Sequence, residues 1–581
     1  MPAGQNGEAM SRAFLEHKKR KVATLDGVWR FSTDRENVGL GENWQKGIPA
    51  ADTQIVPSVW NTKMGLLDYE GVCWYERDFY TEGGTLRFCF GSVLTDCTVW
   101  LDGENIGSHY GGFCAFELIA DDVTEGEHTL TVRVDNSFDE ESIPQRCVDW
   151  YHYGGITRSV SVERLEGICV LSSRLEYELS PDMKKARARA ALELYNASND
   201  SLSDNVSVSV LGATIEQKVE CLARESKEIF TNYFEIDGFD LWSPTSPKLY
   251  ELKMATSTDD LYDRVGFRLV SVDKSGILIN RKRVELRGVN RHEEHVDFGF
   301  AFPPALMQRD IDIAVNMGCN ALRGSHYPND PLFVDMLDER GILFFSEIAI
   351  WGGGFSKETL ANPKVIERGF NMHKEMVKHY YNHPSIIIWG MHNEILTDTP
   401  EGVEMSRLYY SYLKENGGNR LVTYATNHPL TDLCFEYCDF ISINMYIGWY
   451  GEKKEEWAAF LDKVRARLSS LGFSDKPVVM SEFGAAAVFG HRSFDNTIWS
   501  EQYQADLISH CLSLFHADGM VCGSYIWHMC DARTLNDLTR ARGFNNKGLL
   551  NEYRQPKAAY FAARELYLSF ASENEKEGNK L

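Results

Sequence analysis

After Asp273 the chain settles into eight strand-like runs separated by stretches long enough for helices. This alternation constrains the fold more than any other feature. The runs are ELRGVNRHE (285–293), NALRGSHYP (320–328), ILFFSEI (342–348), IIIWGMHNE (386–394), VTYATN (422–427), FISINMY (440–446), VVMSEFG (478–484) and VCGSYIWHM (521–529). Strands that alternate with helices form parallel βα units, and eight units closing on themselves make a (β/α)8 barrel. Residues 274–581 are therefore expected to be a TIM barrel domain.

Upstream the grammar is different. HTLTVRVD alternates apolar Leu130, Val132 and Val134 with polar Thr129, Thr131 and Arg133, as a half-buried strand requires. Asp102-Gly103 sits between two strand-like runs and signals a hairpin. Residues 1–166 thus read as one antiparallel β-sandwich. Residues 167–273, where Val206, Val208 and Val210 alternate with Ser207 and Ser209, read as a second, immunoglobulin-like sandwich. The fold class expected is multidomain: two N-terminal β-sandwiches followed by a (β/α)8 barrel.

Charge and cysteine usage narrow the function. With 84 acidic and 60 basic residues the formal charge is −24, which disfavours nucleic acid and anionic membrane surfaces as partners. An anionic ligand would have to be held by local basic groups. The 13 cysteines show no CxxC pair and read as free thiols in a reducing compartment. No apolar stretch follows the basic residues of the N-terminal segment, so a cytoplasmic protein is expected.

Each barrel run begins apolar and ends polar. Arg291-His292-Glu293, Ser325-His326-Tyr327, Glu347, His392-Asn393-Glu394, Asn427-His428, Asn444-Met445-Tyr446, Glu482 and Trp527-His528 all fall at C-terminal ends, the face where barrel active sites lie. Glu394 ends the fourth run and Glu482 the seventh, so the two carboxyls face each other across the mouth. Acetal hydrolysis needs such a pair, one to protonate the leaving oxygen and one to meet the oxocarbenium-like centre. For either glutamate alone, a structural ion pair with Arg291 or Arg323 is an equal reading. Tyr446, Trp449, Tyr450 and Trp527 add aromatic faces suited to stacking on sugar rings. Strand-end chemistry by itself leaves open which carboxyl is the acid.

GVNRHEEH, RGSHYPNDP, NHPSIIIWGMHNE and MSEFG, with DGVWRF near the start and DLWSPTSPKLY before the barrel, closely resemble glycoside hydrolase family 2 over nearly the whole chain. The resemblance implies a sugar-binding-like sandwich, an immunoglobulin-like domain and a catalytic barrel. It implies Glu394 as acid/base, preceded by Asn393, and Glu482 as nucleophile, in a retaining double displacement. The chain looks most like the β-glucuronidases of that family. NMYIGWY resembles their aromatic loop, implying sugar contacts from Asn444, Tyr446 and Tyr450, and DWYHYGGITR implies that Asp149 reaches the site from the first domain. His326 and Trp527 match pocket positions. Asn545-Asn546-Lys547-Gly548 matches the Asn-x-Lys element that grips the sugar carboxylate, and Lys547 is a suitable compact cation. An exposed turn is the other reading of that stretch.

There are departures from the pattern. Arg540 and Arg542 lie near the expected clamp arginine but out of register, and Phe544 replaces a small residue. RGSHYPND looks closer to the galactosidase branch. The expected function is thus release of a terminal β-linked uronic acid, glucuronide first, with β-galacturonidase as the alternative and neutral-sugar hydrolysis after that. A non-enzymatic carbohydrate-binding protein is disfavoured by the two intact carboxylates. The short connection WGGGFSKETLANPKV suggests an open mouth that admits large aglycones. His292, His326, His392 and His428 lack metal-ligand spacing, so no metal and no cofactor are expected. The resemblance further implies a homo-oligomer, tetramer or dimer, acting on β-uronide conjugates or glycans.

Overall fold

The computed structural model describes residues 11–49, 52–535 and 540–578. In the first sandwich a six-stranded antiparallel sheet packs on a four-stranded one. Leu130, Val132 and Val134 point inward from Gly126–Asp135 and join Trp29, Phe31, Tyr75 and Phe88 in its core. Asp96–Leu101 and Glu104–Tyr110 form a hairpin closed by Asp102 and Gly103, whose φ values of 51° and 83° have the positive sign a type I′ turn needs. The second sandwich pairs Ile168–Leu179 with Lys185–Asn196 on one side and carries Leu202–Val210 on the other. Its core includes Val206, Val208 and Val210, while Ser207 and Ser209 are half-buried on the other face.

A three-stranded antiparallel sheet, Val270–Asp273, Gly276–Ile279 and Lys282–Val284, then plugs the bottom of the barrel. Val270, Ile277 and Ile279 pack against Leu286, Leu343, Phe345, Ile387 and Val479, near the beginnings of barrel strands.

The barrel is closed and parallel, from Leu286–Arg291, Ala321–Gly324, Leu343–Glu347 and Ile386–Asn393 to Leu421–Thr426, Ile441–Asn444, Val478–Phe483 and Val521–Ile526. Nearly every residue of these strands is buried, as a sheet covered on both sides requires. Helix boundaries follow local chemistry. Pro331, Pro363 and Pro400 open helices whose caps Asp330, Asn362 and Thr399 accept from backbone N–H groups, and Gly318, Gly341 and Gly472 each close a helix in the left-handed conformation. One connection departs from the alternation. Between strands five and six the chain forms only a 3-10 turn, Phe435–Tyr437, within a fourteen-residue connection that contains Pro429.

The first sandwich docks on the barrel mouth. Phe113, Trp150 and Tyr153 belong to the barrel's core cluster with Phe300 and Tyr327. Arg158 Nη2 donates to Glu293 Oε2 at 2.8 Å and to the carbonyl of Pro328 at 3.0 Å. This docking carries Asp149 to the C-terminal face. All thirteen cysteines are free, and among the described residues no helix is long and apolar enough to cross a membrane.

Candidate active site

Glu394 and Glu482 line one cavity of about 540 Å³ at the C-terminal face of the barrel. Glu394 follows strand four with a φ of 55°, a conformation a side chain adopts only when its surroundings impose it. Gly352 makes room for that turn, since a Cβ there would lie 1.6 Å from the Glu394 carbonyl oxygen. Asn444 Nδ2 donates to Glu394 Oε1 at 2.6 Å and to Asn393 Oδ1 at 3.0 Å, while Asn444 Oδ1 accepts from Ser481 at 2.7 Å. Burial first, then repulsion from Glu482, pushes Glu394 up to about 8.

Glu482 is held by both oxygens. Arg323 Nη1 donates to Oε1 at 2.7 Å and the Tyr446 hydroxyl to Oε2 at 2.6 Å. The structural ion pair weighed for this glutamate thus exists, with Arg323; Arg291 instead pairs with Asp310. Arg323 is fully buried and also grips Glu347 through two bonds of 2.9 and 3.0 Å and Asn393 at 2.7 Å. Burial, then Glu482, raises the Tyr446 phenol and keeps it a donor. His326 Nδ1 lies 2.6 Å from Glu347 Oε1, and burial with the nearby Arg323 pushes the imidazole down to about 3, so it is neutral. Its ring stacks on Trp527 at 5.1 Å.

The Asn545–Gly548 turn is buried rather than exposed. Lys557 Nζ donates to Asp531 at 2.7 Å, and Asp531 accepts from Gly548 and Asn546, while Gln504 donates to the Lys547 and Gly548 carbonyls. Lys547 is 1% exposed yet lines the cavity. Its Nζ donates to the Tyr450 hydroxyl at 2.9 Å and lies 5.3 and 5.0 Å from the Tyr446 and Tyr450 ring centres. No carboxylate pairs with it among the described residues. An uncompensated ammonium facing a pocket is built to receive an anion.

Nine of the eleven residues singled out in the sequence line this cavity: Asp149, His326, Glu394, Asn444, Tyr446, Tyr450, Glu482, Trp527 and Lys547. The other two, Asn393 and Asn545, are not among the lining residues. Asn393 and Asn545 are fully buried behind the wall. Asn393 takes hydrogen bonds from Arg323 and Asn444, and Asn545 Nδ2 donates to Asp149 at 2.7 Å. The Asn545 amide is engaged by its neighbours at both ends, whereas Asn393 Nδ2 is buried without a hydrogen-bond partner among the described residues. Arg540, out of register with the expected clamp arginine, lines the cavity and donates to Asp149 Oδ2 at 2.7 Å, whereas Arg542 turns to Glu552. Trp351, Asn427 and Met445 also line it. Trp351 and Arg540 lie in loops without periodicity, where only a strand-end position or a charge marks a residue in advance.

The four strand-end histidines do not converge. His292 and His326 meet edge-on at 5.9 Å, but His392 turns to Ser406 at 2.8 Å. The one cluster with metal-ligand spacing among the described residues is Asp335, Asp338 and His383, away from this cavity and already engaged by Arg12.

Models for the sugar binding domain and the TIM barrel domain of glycosyl hydrolases family 2 match residues 22–165 and 270–572, and a further model of glycosyl hydrolases family 2 matches residues 170–268. The chain is 32% identical to a β-galacturonidase from Eisenbergiella tayi solved with galacturonate, with a TM-score of 0.90 over 96% of this chain and 99% of that one. It is 26% identical to a Ruminococcus gnavus β-glucuronidase solved with uronic isofagomine, with a TM-score of 0.85 over 96% of this chain and all of that one. A β-glucuronidase of Paenibacillus borealis is 27% identical over 93% of this chain and 96% of its own length.

Proposed function

The chain belongs to glycoside hydrolase family 2, and from that we propose that it releases terminal β-linked uronic acids with retention, the general course of the family. The observation that carries this reading is Lys547, a buried ammonium that faces the pocket without a carboxylate partner among the described residues. The relatives named as uronidases, of which two were solved with uronic acid ligands, support it.

In this reading Glu394 is the acid/base and Glu482 the nucleophile. Raised to about 8, Glu394 is protonated at neutral pH and can give its proton to the glycosidic oxygen. Glu482, fixed by Arg323 and Tyr446, attacks C1 to form a glycosyl ester. Water then enters, Glu394 takes its proton, and the ester opens with the original configuration. Lys547 holds the sugar carboxylate, while Asp149, drawn in by Arg540 and Asn545, faces the ring hydroxyls.

A galacturonide preference is favoured over glucuronide by the 32% identity and TM-score of 0.90 to the galacturonidase, against 26% and 0.85 for the glucuronidase. Initial rates on matched p-nitrophenyl β-glucuronide, β-galacturonide, β-glucoside and β-galactoside test both levels. Preference for the uronides is expected, and preference for the neutral sugars would overturn the proposal.

A further inference from the structure

Strand five of the barrel ends at Thr426, and the next residue, Asn427, lines the pocket beside Glu394. Its Nδ2 lies 3.3 Å from Glu394 Oε2, the oxygen that Asn444 leaves free. Its Oδ1 is buried and has no hydrogen-bond partner. Leaving such an oxygen without a donor costs about 1–3 kcal/mol, so its presence here needs a reason.

Resting on the reading of Glu394 as acid/base, we propose that Asn427 is a positioning residue that holds Oε2 of Glu394 in both of its protonation states. With Glu394 ionised, Nδ2 donates to Oε2, the arrangement observed. With Glu394 protonated, a half-turn of the amide puts Oδ1 in the same place, where it accepts the carboxyl O–H. The two amide orientations have nearly the same shape, so the exchange needs little room.

Asn444 cannot share this task. Its Oδ1 is engaged by Ser481 and its Nδ2 by Asn393 and Oε1, so its orientation is fixed and Oε1 is always an acceptor. The proton therefore belongs on Oε2. Glu482 on strand seven, Arg323 on strand two and Asp149 from the first sandwich act on Glu394 through their charges, and none has a hydrogen bond to Oε2. The protonated form is the one present at neutral pH, and its O–H needs an acceptor before substrate arrives. In the first half-reaction Oε2–H breaks as a proton joins the leaving oxygen. In the second, a water O–H breaks as Oε2–H re-forms. The amide follows the proton and exchanges no atom.

The experiment compares kcat/KM of the wild type, Asn427→Ala and Asn427→Asp on phenyl and 2,4-dinitrophenyl β-uronides. Phenolate needs a proton to leave and dinitrophenolate does not. Asn427→Ala is expected to lower the phenyl value on the order of tenfold or more and the dinitrophenyl value by less than about twofold. Asn427→Asp, matched in size should the alanine variant not fold, is expected to move the basic limb of the phenyl profile to higher pH by placing a like charge beside Glu394. An equal loss on both substrates, or no loss on either, overturns the proposal. A wild type that turns over neither uronide is a separate result, which removes the reading of the site rather than the role of Asn427 within it.

Discussion

The Nζ of Lys547 and the phenolic oxygen of Tyr450 stand 2.9 Å apart at the cavity wall, an ammonium at 1% exposure bonded to a side chain that is itself 62% exposed. The lysine is thus fixed by a residue that reaches into solvent, and it keeps N–H donors for a ligand. Lys547→Met should lower kcat/KM on a β-uronide by about 10- to 100-fold, the worth of a charge-assisted hydrogen bond. Rates on the matching neutral glycoside should stay level or rise. A uniform fall on both would show that the lysine supports the wall and does not read the carboxylate.

Because Glu394 is held at about 8, kcat/KM should decline as pH rises through that value, where the acid loses its proton. The same shift affects stability. Between the ordinary carboxyl value of 4.5 and about 8, the unfolded chain releases a proton that the folded chain retains, so the Glu394 contribution is full below 4.5 and is lost as pH rises. Glu394→Gln removes that dependence. Its Tm relative to wild type should increase from pH 5 to pH 8, while its turnover of a phenyl uronide falls by about 10²- to 10⁴-fold. A Tm difference that stays flat across this range would contradict the raised value.

Tyr446→Phe removes the donor 2.6 Å from Glu482 Oε2. Its effect should fall mainly on kcat, by about 10- to 100-fold, with an unchanged far-ultraviolet spectrum. Glu482→Ala should go further and abolish nearly all turnover with the fold intact. Persistence of near-wild-type rates in either variant would argue against Glu482 as nucleophile.

Arg323 is the common partner of Glu347, Glu482 and Asn393. Arg323→Met leaves Glu347 without its guanidinium in a fully buried position. A loss of about 3–5 kcal/mol in unfolding free energy is expected, measured by urea titration. A loss below about 1 kcal/mol would mean that this network orients Glu482 without stabilising the barrel.

The sequence carried the parts of this architecture that repeat. Period-two alternation marked Leu130, Val132 and Val134, and apolar runs with polar ends marked all eight barrel strands, because the same physical demand recurs at every strand. The Asn545–Gly548 turn was visible through motif likeness, but its burial was not, since Lys557, Asp531 and Gln504 lie apart from it in sequence and meet it only in the fold. The contact that Arg540 makes was hidden for a related reason. Register counted along the chain says nothing about a side chain that crosses a loop to reach Asp149. Asn545 shows the converse, a polar residue at a suggestive position whose hydrogen bonds are consumed inside the wall.

The long span of that Asp149–Arg540 contact also sets a schedule. Its two residues are 391 positions apart, and Asp149 meets Asn545 across 396. At ordinary rates of synthesis Asp149 leaves the ribosome roughly 20 to 80 s before its partners exist. The first sandwich, with a core of its own, can be finished by then. Its Asp149 segment must wait, facing water, for a surface not yet made. The pocket is therefore among the last features of the molecule to appear, and the onset of activity in a nascent chain would report the docking of its two ends rather than the folding of any one domain.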